Sequence, residues 1–254
     1  MPTAKGIRNQ FGKRNAPTVV NAAYAPVLFL DGRAATLEDQ CGGPIANPIE
    51  MGETHGTVAA KLEKVPEYKA DFARAFGPGP ITIQKIEMAV ASYERTVLSG
   101  DSAFDRYMYR DDKTALNEAA LRGMKIFVDK KRGNCSTCHT IGETSALFTD
   151  GKFHNIGAGI NPQGEMTDLG RYEQTKVEAD KGAFRTPTLR NVALTAPYMH
   201  DGSLKTLKDV VDFYAGGGTS NPQLDGEIHE LKLSGQDRAD LVTFLEALTG
   251  KPRP

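Results

Sequence analysis

The stretch KRGNCSTCHTIG, residues 131–142, contains Cys135-Ser136-Thr137-Cys138-His139, and its reading decides the fold. A bare CxxC is shared by redox thiol pairs, zinc half-sites and haem attachment sites. A redox pair of the thioredoxin type needs a strand before it and a helix starting at it; here a long helical pattern precedes the pair and no strand pattern is visible. A structural zinc site needs about four Cys or His ligands. The third cysteine, Cys41, lies far upstream, and only His154 and His200 could be recruited. The added His139 shifts the balance to haem: in CxxCH two thiols can form thioethers to the vinyl groups while the adjacent imidazole reaches the iron from the same side. A porphyrin acting as core also suits a chain that has no tryptophan.

Working outward, residues 112–134 read as a helix that starts near Thr114 and Glu118 and runs into the motif, with Ala119, Leu121, Met124, Phe127 and Val128 as its apolar face. Residues 140–199 are rich in Gly, Thr and Asn with little periodicity, so something other than a plain apolar core organises them. Two closing helices follow, with Leu207, Val210, Val211 and Phe213, then Leu241, Phe244, Leu245 and Leu248, as core faces. Upstream, a short helix is expected over 36–40 with Thr36 as N-cap. Two more helices are expected over 54–65 and 66–79, the second starting at Pro66. A further helix within 81–100 presents Ile81, Ile86, Met88, Ala89, Tyr93 and Val97 on one face. No fixed-period repeat is visible. The expected organisation is all-α in two domains, 1–105 and 106–254.

If His139 is the proximal ligand, the candidates for a sixth ligand are His154, Met166, Met199, His200 and His229. Met199 sits in LTAPYMHDGSLKTL, after Pro197 and just before a helix, a placement that suits a loop over the distal face; a lone Met is otherwise core filler, and His200 beside it is the rival. A thioether ligand raises the potential relative to two imidazoles and closes the site, which then passes electrons.

Composition excludes several other classes. The 254 residues carry a formal net charge of −1 with acids and bases interspersed, which argues against nucleic acid. No run approaches the roughly 20 apolar residues of a membrane span. The first 20 residues have no apolar segment of a secretory signal. Two of three cysteines lie in one motif, leaving no disulfide framework, and Cys41 reads as a small, partly buried residue.

The segments RNAPTVVNAAYAPVLFLDGRAATLEDQ (14–40), GPIANPIEMG (43–52), CSTCHTIG, FTDGKFHNIG (148–157) and FRTPTLRNVALTAPYMHDGSLKTL (184–207) occur in this order. In them the chain resembles the bacterial dihaem cytochrome c peroxidases and their methylamine-utilisation relatives. The resemblance implies a class I cytochrome c-like C-terminal domain whose haem c is attached at Cys135 and Cys138 and ligated by His139 and Met199. It implies that the rest is a loop-rich helical remnant of a second, peroxidatic cytochrome c-like domain. Glu50 would be the acid/base for peroxide O–O cleavage, with Gln40 beside it. Asn15 would ligate a calcium ion between the haems, with the carbonyls of Arg185 and Pro187 as further partners, hard oxygen donors suited to that ion.

The sequence departs from the family in three places: the first CxxCH is missing, so is the distal histidine expected before residue 14, and Leu30 stands where the family has tryptophan. Two functions are therefore expected. One is reduction of hydrogen peroxide to water by a dihaem enzyme. It would be fed by a small cytochrome c or cupredoxin and would be periplasmic and homodimeric, with its N-terminal segment removed by truncation or a misplaced start. The alternative is a monohaem electron carrier without peroxidase activity.

Overall fold

The computed structural model describes residues 3–253, which are mainly helical. In chain order the elements are α1 (Leu37–Ala46), α2 (His55–Glu63), α3 (Pro66–Phe76), α4 (Ile83–Glu94), β1 (Leu98–Gly100), α5 (Ala103–Tyr109) and α6 (Glu118–Val128). After them come β2 (Phe153–His154), α7 (Tyr172–Thr175), β3 (Phe184–Arg185), α8 (Leu207–Ala215), α9 (Gly235–Glu246) and β4 (Lys251–Arg253). The strands form two antiparallel ladders, β1 with β4 and β2 with β3. Among the described residues no helix is long and apolar enough to cross a membrane.

The largest core lies in the C-terminal half. Phe104, Phe127, Phe148 and Phe244 are almost fully buried and meet edge to face, with centroids 4.9 Å apart for Phe104–Phe148 and 5.1 Å for Phe127–Phe244, the geometry that aromatic quadrupoles favour. Helices α6 and α9 approach closely because residue 123 is glycine: a Cβ there would collide with the Asp240 carbonyl. Arg122 closes the same contact with two bonds to Asp240, at 2.7 and 2.9 Å. The N-terminal half has two smaller cores. Leu28, Ala34, Leu37 and Ala91 form one; Cys41, Ile45, Ile81 and Ile86 form the other.

Several expected faces shift. Helix α6 is capped by Asn117, whose Oδ1 accepts the Ala120 N–H at 2.8 Å, because Thr114 is engaged in its own turn with Asp112. Its buried face is Ala120, Gly123, Ile126 and Phe127, and Val128 is exposed. On α4, Met88 and Tyr93 face solvent while Ile86, Ala91 and Glu94 are buried, which places a carboxylic acid on the inner face. Helix α1 starts at the expected Thr36 cap but continues to Ala46 through Gly42-Gly43-Pro44.

A duplication that apolar periodicity does not reveal organises the loops before α1 and α8. Residues 17–39 and 187–209 align without a gap: Pro17 with Pro187, Asn21 with Asn191, Asp31-Gly32 with Asp201-Gly202, and Thr36-Leu37 with Thr206-Leu207. The backbones agree too. Asn21 and Asn191 are left-handed at φ 60° and 57°, Phe29 and Met199 at 63° and 71°, and Gly32 and Gly202 at 70° and 66°. Each loop carries one bridge, Leu28 with Ala34 and Tyr198 with Leu204. Each ends in a helix whose threonine cap accepts the N–H of an aspartate three residues on.

Candidate functional site

The motif follows α6 directly: Asn134, left-handed at φ 52°, turns the chain into a short 3-10 turn over Cys135–Thr137. Both motif cysteines are free and face a cavity of about 920 Å³, which His139 also lines. His139 Nδ1 lies 2.8 Å from the Phe148 carbonyl, so that nitrogen carries the proton and Nε2 is left with its lone pair. Burial holds the imidazole below its ordinary value, keeping it neutral, as a metal ligand must be. Burial also pushes the Cys135 thiol up to about 12, which does not suit a reactive redox pair. A large apolar cavity with two thiols and one free imidazole nitrogen on its wall fits haem c.

The candidates for the opposite side of the iron separate cleanly. His154 is held at both nitrogens, 2.6 Å from Asp225 through Nδ1 and 3.0 Å from Asp150 through Nε2. The Cys138 sulfur beside it and the two carboxylates raise it to about 10, and a cation offers no lone pair. The ligand atoms of Cys138, Asp150 and His154 lie within 4.8 Å of one another, which gives the zinc reading three donors, one of them the sulfur that haem attachment would consume. Met166 lies off the cavity, where its sulfur faces Gly182. His229 borders the cavity but is exposed. His200 is buried with its ring stacked on Phe184, centroids 3.9 Å apart, and its Nε2 against Gly159 with no partner among the described residues. Met199 lines the cavity on its left-handed turn.

The same cavity extends into the N-terminal half, where Gln40 on α1 and Glu50 in the following turn line it. That turn is fixed by the Glu50 N–H donating to Asn47 (3.1 Å) and by the Glu50 carbonyl accepting from Ile7 (2.8 Å). Asn15, Arg185 and Pro187 border the cavity as well. The Asn15 Nδ2 donates to the Pro197 carbonyl at 2.6 Å, which leaves its Oδ1 as the side-chain acceptor.

The sequence did not point to Glu94. Glu94 borders the cavity, one of its oxygens is buried without a partner among the described residues, and burial raises its proton affinity. The signal was present in the three-residue spacing from Ala91, which carries the acid to the buried face of α4.

Comparison with known proteins agrees with this architecture. Residues 1–113 match the di-haem cytochrome c peroxidase family and residues 120–249 the cytochrome c family. The chain is 37% identical to the methylamine utilization protein MauG of Methylophilus methylotrophus, over 93% of this chain and 68% of that one. It is 39% identical to the cytochrome c551 peroxidase of Pseudomonas aeruginosa, over 99% and 69%. Among solved structures, a MauG-like protein associated with microbial copper homeostasis superposes with a TM-score of 0.86 at 32% identity, covering 99% of this chain and 79% of the other. The chain thus spans about two thirds of the length of these curated relatives.

Proposed function

Because the chain belongs to the di-haem cytochrome c peroxidase family, we propose that it serves the reduction of hydrogen peroxide to water, with electrons entering at haem c held by Cys135, Cys138, His139 and Met199. The observation that carries this reading is one cavity lined by the CxxCH motif on one side and by Gln40 and Glu50 on the other. Haem bound at the motif supplies a one-electron iron centre whose potential a thioether ligand raises. Because Met ligation closes that iron to peroxide, peroxide would be reduced at the second haem of a dihaem enzyme, and this chain's residues serve both centres. The Phe148 carbonyl orients His139. Glu50 accepts a proton from one peroxide oxygen and delivers it to the other, and Gln40 on α1 orients the bound peroxide. Each turnover takes two electrons and two protons and yields two waters. The donor is a small cytochrome c or cupredoxin; the site of action is the periplasm, where c-type haem is attached, and the working form is a homodimer. Calcium between Asn15 and the Arg185 and Pro187 carbonyls would brace the two halves. In this reading residues 1–105 are the remnant of the N-terminal peroxidatic domain and 106–254 the C-terminal cytochrome c domain where electrons enter.

Peroxide turnover by the haem-loaded chain with a reduced donor is the test. Glu50→Gln should lower kcat by about 10²–10⁴-fold, and an unchanged kcat would remove Glu50 from the proton path. The single CxxCH in this sequence favours a second reading, a monohaem electron carrier. A pyridine haemochrome titration finding one haem per chain, together with no peroxide turnover, establishes the carrier.

A further inference from the structure

The two duplicated loops do not merely resemble each other; each is held by the segment that leads into the other. Asn15 precedes the first loop, and its N–H donates to the His200 carbonyl in the second at 2.6 Å. Arg185 precedes the second loop, and its N–H donates to the Leu30 carbonyl in the first at 2.8 Å. Asn15 and Arg185 are equivalent positions of the alignment, as are Leu30 and His200, so the two bonds are one contact made twice about a pseudo-dyad. The side chains repeat it. Arg185 Nε donates to the Phe29 carbonyl at 3.4 Å, and Asn15 Nδ2 to the Met199 carbonyl at 3.5 Å; Asn15 adds the shorter bond to Pro197.

Asn15 therefore engages three carbonyls of the loop that carries Met199, those of Pro197, Met199 and His200. The loop's own bonds share the Met199 carbonyl, through the Gly202 N–H at 3.2 Å, and otherwise fix other points: Tyr198 N–H to Leu204 at 2.7 Å and the Tyr198 hydroxyl to Val192 at 3.0 Å. A methionine at φ 71° is in a region that non-glycine residues seldom occupy, and such a conformation persists only where its surroundings over-determine it. Asn15 itself is stationary because its neighbour Arg14 is bonded twice to Asp168, at 2.6 and 2.7 Å, and once to Asp31, at 2.6 Å.

We propose that Asn15 is the positioning residue for Met199: its amide N–H groups hold the loop in the conformation that presents the thioether to iron, so the N-terminal half sets the axial ligation in the C-terminal half. This rests on Met199 being the sixth ligand. It is separable from a calcium role, because calcium would take the Asn15 oxygen whereas the loop takes its nitrogen. Asp at this position keeps an oxygen ligand and loses the donor, and it sets a carboxylate against two carbonyls.

The test uses the haem-loaded full chain, reading the methionine-to-iron charge-transfer band of the ferric state and the midpoint potential, with Met199→Ala as reference. Asn15→Ala and Asn15→Asp should both lose most of the band and move the potential towards that of Met199→Ala, while Asn15→Gln, which keeps the donor, recovers part of both. An Asp variant indistinguishable from the parent overturns the proposal in favour of oxygen ligation. An unchanged Ala variant beside a changed Met199→Ala overturns the proposal alone. An unchanged Met199→Ala overturns the ligand assignment and the proposal with it.

Discussion

In the first of the duplicated loops the left-handed position holds Phe29, whose ring lies under the Arg33 guanidinium at 3.4 Å; in the second it holds Met199, whose position equivalent to Arg33 is Ser203. Both loops use an aspartate to close the turn: Asp31 accepts the Arg33 N–H at 3.2 Å, and Asp201 accepts the Ser203 N–H at 3.0 Å. Only Asp31 is buried, at 1% exposure, paired with Arg14 at 2.6 Å and Arg33 at 3.0 Å. One backbone thus serves as an ion-paired brace in one half and carries, in the other, the methionine proposed as the sixth ligand. Residues that shape the chain, Asn, Asp-Gly and the Thr cap, stay the same, while the left-handed residue lining the cavity changes from Phe29 to Met199.

Making the second loop resemble the first should have the largest effect. Met199→Phe suits a backbone that already accepts phenylalanine at the equivalent position, so the fold should persist while the reduction potential falls by on the order of hundreds of millivolts, within the ~0.8 V range that axial ligands span. Spectroelectrochemistry reads it, and an unshifted potential would return Met199 to core filler. Next come the aspartates. Asp31→Ala removes a buried carboxylate from Arg33 and from Arg14, which keeps Asp168, and should cost about 1.5–3 kcal/mol in denaturant unfolding, whereas Asp201→Ala should stay within about 1 kcal/mol; equal losses would erase the distinction between the halves. Gly32→Ala should cost on the order of 1–3 kcal/mol by the same assay, since φ is positive and a Cβ would meet the Phe153 ring and the Arg171 guanidinium. The smallest effect concerns acid. Burial works against ionisation of Asp168, but hydrogen bonds from Arg14 and the Gly170 N–H outweigh it and hold the carboxyl below its ordinary value. A depressed carboxylate stabilises the fold above its unfolded value of about 4 and loses that contribution as pH falls through the lower folded value. Arg14→Met should flatten this acid limb of the melting temperature, and an unaltered limb would show that other carboxylates carry it.

Much of this comparison was written in the sequence but not in its apolar periodicity. CSTCH, the Thr36 cap and the extents of α2, α3 and α9 are local signals, and local reasoning reaches them. The start of α6 was misplaced because Thr114 and Asn117 are both plausible caps, and only Thr114's bond to Asp112 decides between them. The α4 face was set one residue off because Tyr93 looks like a core residue, while Glu94 is buried by a cavity that no window of sequence contains. His154 offered itself as a ligand until Asp150, four residues before it, and Asp225, from a distant segment, closed on its two nitrogens. The duplication escaped because its shared residues specify φ angles and caps, and the apolar positions between them vary.

The hydrogen bond from His139 to Phe148 has a consequence for speed. Phe148 is fully buried and left-handed at φ 53°, and its ring packs edge to face against two other phenyl rings, those of Phe104 and Phe127. Its carbonyl can therefore shift little without disturbing the densest part of the molecule. An imidazole tethered to it would keep its bearing whatever charge a haem iron bound there carried. Electron transfer at such a site would have few nuclei to rearrange, and the barrier set by that rearrangement would be correspondingly low.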